Sequence, residues 1–227
     1  MNMPGQAQRT APAGYTALLL AALAVGAAGY WGPWVNHRAV ALILIGQDLG
    51  EFVKFLPEVR SGAMIMVRQL FYLPPFCTCC LLALLVASSW SRRVRGPALR
   101  CHWAIRALCL AAIVPISLAL LPPVFSIPVL KSEEFRLQVI GTLFCLALIP
   151  GVWLLRRLPP VALMALIGLC GLAGAAPALW QFGVILPAIQ NVYHAPLHPG
   201  WGVFATGLGF TTVGILGLAQ AARLIRR

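Results

Sequence analysis

Residues 160–180 read PVALMALIGLCGLAGAAPALW, a run of 21 residues without a charged side chain. A helix that crosses a bilayer needs about 20 mostly apolar residues, so this run predicts a transmembrane helix. The whole chain has the same character, with a mean hydropathy of +0.87 and only 10% charged residues, and this lies outside the composition of soluble domains. The sequence therefore predicts an all-α integral membrane protein.

Five further apolar stretches are long enough to cross, which gives six predicted spans in a single transmembrane domain, residues 1–227. Their approximate bounds are 13–31, 69–90, 103–125, 137–155, 160–180 and 201–222. The first stretch also fits a secretory signal peptide, with Arg9 before it and VGAAG as a candidate cleavage region. Because the sequence starts at Met1, we expect this stretch to be retained as a span.

The distribution of basic residues predicts the orientation, since Lys and Arg are retained on the cytoplasmic side. With the N-terminus inside, eleven of the seventeen basic residues are inner, whereas six basic residues and all five acids are outer. The inner side then carries +11 and the outer side +1, and all seven Trp fall near span ends, as in an aromatic belt. We predict both termini in the cytoplasm and location in the plasma (cytoplasmic, inner) membrane.

The long connection between the first two spans predicts an outer cap at about residues 35–68. In DLGEFVKFL, four apolar residues follow the i, i+3, i+4, i+7 spacing of one helix face, namely Leu49, Phe52, Val53 and Leu56. Asp48 is predicted to be the N-cap with Glu51 at the third helical position, and Pro57 is predicted to stop the helix. Lys54 is expected to pair with Glu51 and Glu58.

Two interpretations of this amphipathic cap stay open. Its charges form a solvated face, or its acids Asp48 and Glu51 bind a partner or a cation. The preceding residues 39–45, AVALILI, are too short to span and too apolar for an uncovered loop, so we expect other parts of the protein to cover them.

No catalytic, cofactor or metal site is predicted. The sequence lacks a nucleophile elbow, an HExxH motif, a P-loop and a dinucleotide fingerprint, and the centres of the predicted spans lack ionisable residues. The CTCC motif at 77–80 has no further ligand nearby in sequence, and no His falls at membrane depth. The net charge of +12 lies in short Arg clusters between apolar runs, so it indicates topology and not nucleic-acid binding.

The spans contain small residues at the spacing that allows helices to approach closely. The small-xxx-small pairs are Ala22 and Gly26, Gly171 and Ala175, and Ala205 and Gly209. These pairs predict the helix-packing surfaces of the bundle.

These features favour a non-catalytic multi-pass subunit of a larger respiratory, photosynthetic or transport complex, with membrane lipid and other transmembrane subunits as partners. A small-solute transport component is the alternative, because in size and span count alone the chain resembles the substrate-binding subunits of energy-coupling-factor transporters. A membrane enzyme of unknown chemistry is the third hypothesis.

Overall fold

The computed structural model describes residues 13–37, 42–90, 98–122 and 126–226, and this part of the chain is mostly helical. Its helices are α1 (Ala13–Tyr30), α2 (Gly46–Phe52), α3 (Pro57–Arg60), α4 (Leu73–Trp90), α5 (Ala98–Leu118), α6 (Ile127–Leu130), α7 (Arg136–Leu155), α8 (Pro160–Tyr193) and α9 (Trp201–Ile225). Two strands, β1 (Pro33–His37) and β2 (Leu42–Ile45), and two 3-10 turns, Val53–Phe55 and Arg68–Tyr72, complete the described elements.

Four of the described helices are long and apolar enough to cross a membrane: Arg68–Ser89, Arg136–Leu155, Pro160–Tyr193 and Trp201–Ile225. Two shorter apolar helices, Gly14–Tyr30 and His102–Leu118, coincide with the other two predicted spans. Helix α5 ends at Leu118, before the C-terminal end predicted for the span 103–125, and residues 123–125 lie outside the described part of the chain. Leu121 precedes Pro122, and a residue before proline disfavours the helical region.

Helix α8 is longer than its predicted span, 160–180, and continues for 34 residues to Tyr193. At 1.5 Å per residue it is about 51 Å long, well over the roughly 30 Å hydrocarbon core of a bilayer. Pro177 and Pro187 lie inside it without ending it. The helix ends where His194 adopts a left-handed conformation, with φ 48°, two residues before Pro196.

The bundle is organised around α9, which packs antiparallel to both α1 and α8. Along the α1 surface, Gly26 lies against Gly209, and Gly29 lies against Ala205 and Thr206. A Cβ atom on Gly209 would overlap the backbone nitrogen of Gly26. At this interface the helices therefore meet backbone to backbone, with Ala22 also in contact through its carbonyl oxygen.

The second surface of α9 faces α8 through another row of glycines. A Cβ on Gly171 would lie 2.5 Å from the backbone nitrogen of Gly214, and one on Gly217 would lie 2.5 Å from that of Gly168. Ala175, one turn beyond Gly171, is buried. All six residues predicted for helix packing therefore lie on α1, α8 or α9, the three helices that pack through small residues.

Helix α4 is the most enclosed of the described helices that are long and apolar enough to cross a membrane, since it contacts α1, α5, α7 and α8. Its fully buried side chains include Cys79, Leu81, Ala83 and Ala87. At the end of α4 away from the cap, the buried Arg106 of α5 donates to the hydroxyl and the carbonyl oxygen of Ser89 and lies over the Trp103 ring. This arginine therefore has protein partners and is not left exposed to the apolar surroundings.

The cap contains a short antiparallel hairpin, which an all-α prediction lacks. Strand β1 pairs with β2, and Val35 lies opposite Leu44. The backbone N–H of Gly200 donates to the carbonyl oxygen of Trp34 at 2.8 Å, and Val35 also bridges Pro199. The end of the apolar stretch 39–45 is thus paired as β2, whereas residues 39–41 lie outside the described part of the chain.

We predict that Gly171→Leu disrupts the fold whereas Gly183→Leu, on the same helix, does not. A side chain at 171 must displace the α9 backbone, whereas no atom lies within 4 Å of a Cβ at position 183. Because overpacking costs about 1–3 kcal/mol even where side chains can move, the first variant should lower the monodisperse yield in detergent and the melting temperature. Equal behaviour of the two variants would contradict this packing.

Candidate functional site

The cap is built on the part of α8 that extends beyond the bundle. Trp34 is fully buried there, with its ring centroid 5.4 Å from that of Phe182 and 6.2 Å from that of Phe71, both edge to face. Its indole N–H donates to the carbonyl oxygen of Gly29 at 3.2 Å. Since a buried indole needs a partner, this bond orients Trp34 at the point where α1, the hairpin and α8 meet.

The apolar face of the predicted cap helix lies against this core. Leu49, Val53 and Leu56 are buried, and Phe52 is partly buried and stacks on Tyr193, with centroids 6.4 Å apart. The segment is not one helix, however, because α2 ends at Phe52 and a 3-10 turn follows to Phe55. This turn keeps Val53 and Leu56 on the buried side.

The predicted N-cap is wrong by three positions. Helix α2 begins at Gly46, so exposed Asp48 is the third helical residue and accepts a long hydrogen bond, 3.5 Å, from the backbone N–H of Ile45. Asp48 thus satisfies one N–H at the helix start from inside the helix. Glu51 lies in the last turn of α2, where its carboxylate meets other side chains.

Glu51 belongs to a cluster of ions that also contains Lys54, Arg68 and Glu134. Lys54 pairs with Glu51 at 2.5 Å and with Glu134 at 2.8 Å, whereas Arg68 pairs with Glu134 at 2.9 Å and with Glu51 at 3.4 Å. The prediction that Lys54 pairs with Glu58 is wrong, because Lys54 forms its ion pairs with Glu51 and Glu134. Two cations and two carboxylates therefore form one network, in which each cation pairs with both carboxylates.

Arg68 is the most enclosed member of this ion cluster, with 12% of its side chain exposed. It also donates to the backbone carbonyl oxygen of Glu134, and its guanidinium lies 5.1 Å from the centre of the Phe135 ring. Lys54 approaches the same ring at 5.5 Å. The segment that precedes α7 is thereby attached to the cap by both charge and aromatic contacts.

The network shifts the pKa values of Glu134 and Lys54. The Lys54 hydrogen bond, with the nearby positive charges of Lys54 and Arg68, lowers the pKa of Glu134 below its ordinary value. For Lys54, partial burial acts to lower the pKa, but hydrogen bonds to Glu134 and Glu51 outweigh it and raise the pKa. Both shifts favour the charged forms, so the pairs persist across the neutral pH range.

A partly open cavity of about 180 Å³ lies beside the ion cluster, between the start of α4, the end of α5 and the start of α7. Its lining includes Tyr72, Phe76, Leu120, Leu137 and Gln138. The hydroxyl of Tyr72 donates to Glu51 at 2.9 Å. The cavity and the ion cluster therefore share Tyr72 and form one candidate site.

Gln138 is the unusual group in this cavity, because only 6% of the residue is exposed and neither amide atom makes a hydrogen bond to the described protein. The Tyr72 hydroxyl donates to Glu51 and lies close enough to the amide to interact with it electrostatically, but the two groups do not reach hydrogen-bond geometry. A buried polar group without a partner costs about 1–3 kcal/mol. The sequence analysis does not single out Gln138, although a polar residue at the start of an apolar span could have indicated a polar site there.

The cysteines and histidines do not assemble a metal site among the described residues, where no group of three or more His, Cys, Asp or Glu side chains could hold an ion. Cys77 and Cys79 are buried in the bundle, and Cys79 donates weakly to the carbonyl oxygen of Ile113. His194 and His198 are exposed near the end of α8, and His102 lies on α5.

Two threonines in the spans behave differently from each other. The Thr142 hydroxyl donates within its own helix to the backbone carbonyl oxygen of Gln138 and lies 3.1 Å from the carbonyl oxygen of Ser117 on α5. The buried hydroxyl of Thr206 has no hydrogen-bond partner in the described structure. The Thr142 hydroxyl therefore has acceptors on both α7 and α5, whereas that of Thr206 has none among the described residues.

Comparison with known proteins gives no match to a family model, to a curated protein or to a solved structure. The site must therefore be interpreted from its own chemistry.

We predict that Arg68→Met destabilises the protein by about 1–2 kcal/mol, because it leaves Glu51 and Glu134 without their best-enclosed partner. The matched change Arg60→Met, at an exposed position of α3, should alter stability by less than about 0.5 kcal/mol. Thermal unfolding of the two variants in the same detergent measures the difference. A loss at Arg60 as large as that at Arg68 would show that the ion cluster does not hold the cap.

Proposed function

We propose that this chain is a non-catalytic multi-pass membrane subunit that binds other transmembrane chains through its cap. The observation that carries the proposal is the exposure of large apolar side chains on the cap: Ile65 is 92% exposed and Phe55 is 70% exposed. Exposed apolar groups outside a bundle are typical of surfaces that another protein covers. The host complex is a respiratory, photosynthetic or transport assembly.

The loop around Ile65 supports this role because it is anchored on the protein side. Met64 and Met66 pack against the hydrophobic core of the cap, whereas the residues that alternate with them, Ile65 and Val67, are exposed. The loop therefore presents its apolar side chains from a fixed position, which lowers the entropy cost of binding a partner.

Six spans with both termini cytoplasmic belong to the same proposal. The contacts of the helices support it, since α1 and α8 are both antiparallel to α9, and the last turn of α5 meets the first turns of α7 where Thr142 contacts Ser117. With alternating directions, the acids lie at the capped end, whereas Arg156, Arg157 and Arg223 lie at the other end. The positive-inside rule then assigns the capped end to the outside of the cytoplasmic membrane.

We predict that purification in mild detergent, followed by native mass measurement, yields this chain with other transmembrane chains in a fixed ratio. Ile65→Ser should weaken that assembly because it removes an apolar contact, whereas Ile225→Ser should not. Ile225 is a matched control, as it is 71% exposed but lies at the opposite end of the bundle. A dedicated pair of ATPases among the partners would favour the small-solute transport component, and a lipid-bound monomer would contradict the subunit role.

Orientation is tested separately with single cysteines. A cysteine at Ser132, beside the acids, should react with an impermeant thiol reagent in intact cells, and one at Leu158, beside Arg156 and Arg157, should react only after lysis. The seven native Cys are first replaced by Ala or Ser, and a label at Leu158 in intact cells would reverse the proposed topology.

A further inference from the structure

The cavity beside the ion cluster lies at the level where the helices meet the cap. The first turns of α4 and α7 form two of its walls, and Leu120, just after α5, forms the third. Its rim includes Leu137, which is exposed together with Ile140 and Phe144 on the face of α7 that points away from the bundle. A ligand can therefore enter from the apolar surroundings of the bundle without crossing the cap.

The interior of the cavity is apolar except at one end. Leu73, Phe76 and Leu120 supply apolar surface, whereas Gln138 supplies an amide whose two polar atoms are both without a hydrogen bond. An amide offers a donor through Nε2 and an acceptor through Oε1. The group that satisfies Gln138 must therefore both donate and accept.

The charges around the cavity favour a neutral ligand. The ion cluster contains two carboxylates, Glu51 and Glu134, and two cations, Lys54 and Arg68, and each is paired within the cluster. It leaves no net charge to attract an ionic head. The Tyr72 hydroxyl donates its proton to Glu51, so it can only accept a hydrogen bond from any other group.

The size of the cavity limits how much of the ligand it encloses. Its volume of about 180 Å³ is below the 300–1,000 Å³ of pockets that enclose a drug-sized molecule. Only a small head fits inside, and the remainder must lie along the exposed apolar side chains of α7. An amphiphile with a compact head and a long tail has this shape.

We propose that the cavity binds a membrane amphiphile with a neutral, hydroxyl-bearing head, with the head on Gln138 and the tail along α7. A hydroxyl donates and accepts at once, as the unpartnered amide requires. Two sources share this chemistry, a diacylglycerol and a long-chain quinol. This site is independent of the cap surface around Ile65, so it can bind its ligand whether or not the chain is part of an assembly.

The test adds dioleoylglycerol, a decyl-substituted benzoquinol or dioleoylphosphatidylcholine to delipidated full-length protein and measures the melting temperature and the native mass. One neutral probe should raise the melting temperature by at least about 3 °C and give a one-to-one adduct. The zwitterionic phosphatidylcholine should do neither. A shift with the acylglycerol or with the quinol identifies the source of the head.

Three variants locate the binding. Gln138→Leu removes the hydrogen bonds, and it should abolish the shift while leaving the melting temperature of the ligand-free protein unchanged or higher. Gly141→Leu fills the cavity, because a Cβ there lies at ordinary contact distance, 3.8 Å from Phe76 and 3.9 Å from Leu120. Gly151→Leu, on the same helix with no atom within 4 Å, is the control and should keep the full shift.

The outcomes are decisive for the cavity. Loss of the shift in Gly141→Leu but not in Gly151→Leu supports the site, even if Gln138→Leu does not fold. If neither neutral probe shifts the wild type, the cavity holds only water and the proposal is overturned. An equal shift with phosphatidylcholine, or a shift that survives in Gly141→Leu, overturns it as well.

Discussion

The bundle depends on backbone contact between α9 and its two neighbours. Inside a bilayer, lipid tails are as apolar as a leucine side chain, so burial of apolar surface does not drive helices together. Close packing must supply the stabilisation, and it requires small residues where helices cross. Gly209 against Gly26 and Gly171 against Gly214 meet this requirement on two different faces of α9. Helices α1 and α8 are held in place by it, and the cap is built on their ends.

The capped end of the protein combines a closely packed core with a buried polar side chain that has no hydrogen bond. Trp34 and the apolar residues of α8 form a packed core, and Arg68 and its carboxylates attach the start of α7 to it. Beside this well-satisfied network lies Gln138, whose amide has no hydrogen bond. A buried polar group of this kind is expected at a binding site, because natural structures otherwise pair such groups.

The sequence predicted the local features of this protein well and the long-range ones poorly. Apolar runs set the helices, and the spacing of Leu49, Val53 and Leu56 is a local pattern of one segment, so both could be read directly. The length of α8 was not predicted, because the span 160–180 was bounded by the roughly 20 apolar residues that a bilayer crossing needs, and that criterion does not set how far a helix continues beyond them. The hairpin was missed because Leu42–Ile45 is too short to be distinguished from a buried helical segment by its pattern alone.

The candidate site shows the same limit more strongly. Glu134 lies 66 residues from Arg68 in sequence, so its choice of partner depends on where α6 and α7 return to the cap. The sequence placed acidic and basic residues on the same predicted side, so it indicated that ion pairs could form there, but it did not indicate which residues would form them. The cavity could not be predicted, because a void is a property of side chains from three helices and no single segment encodes it.

The excess length of α8 has a mechanical consequence. The portion beyond a 30 Å hydrocarbon layer is about 20 Å long, so a tilt of the helix by about 10° would move its tip by about 3–4 Å. Because Phe182, Ile185 and Ile189 are packed into the cap, that displacement would carry the cap with it. A small change of inclination within a bilayer, such as one imposed by membrane thickness, would therefore be converted into a larger displacement of the capped end of the protein.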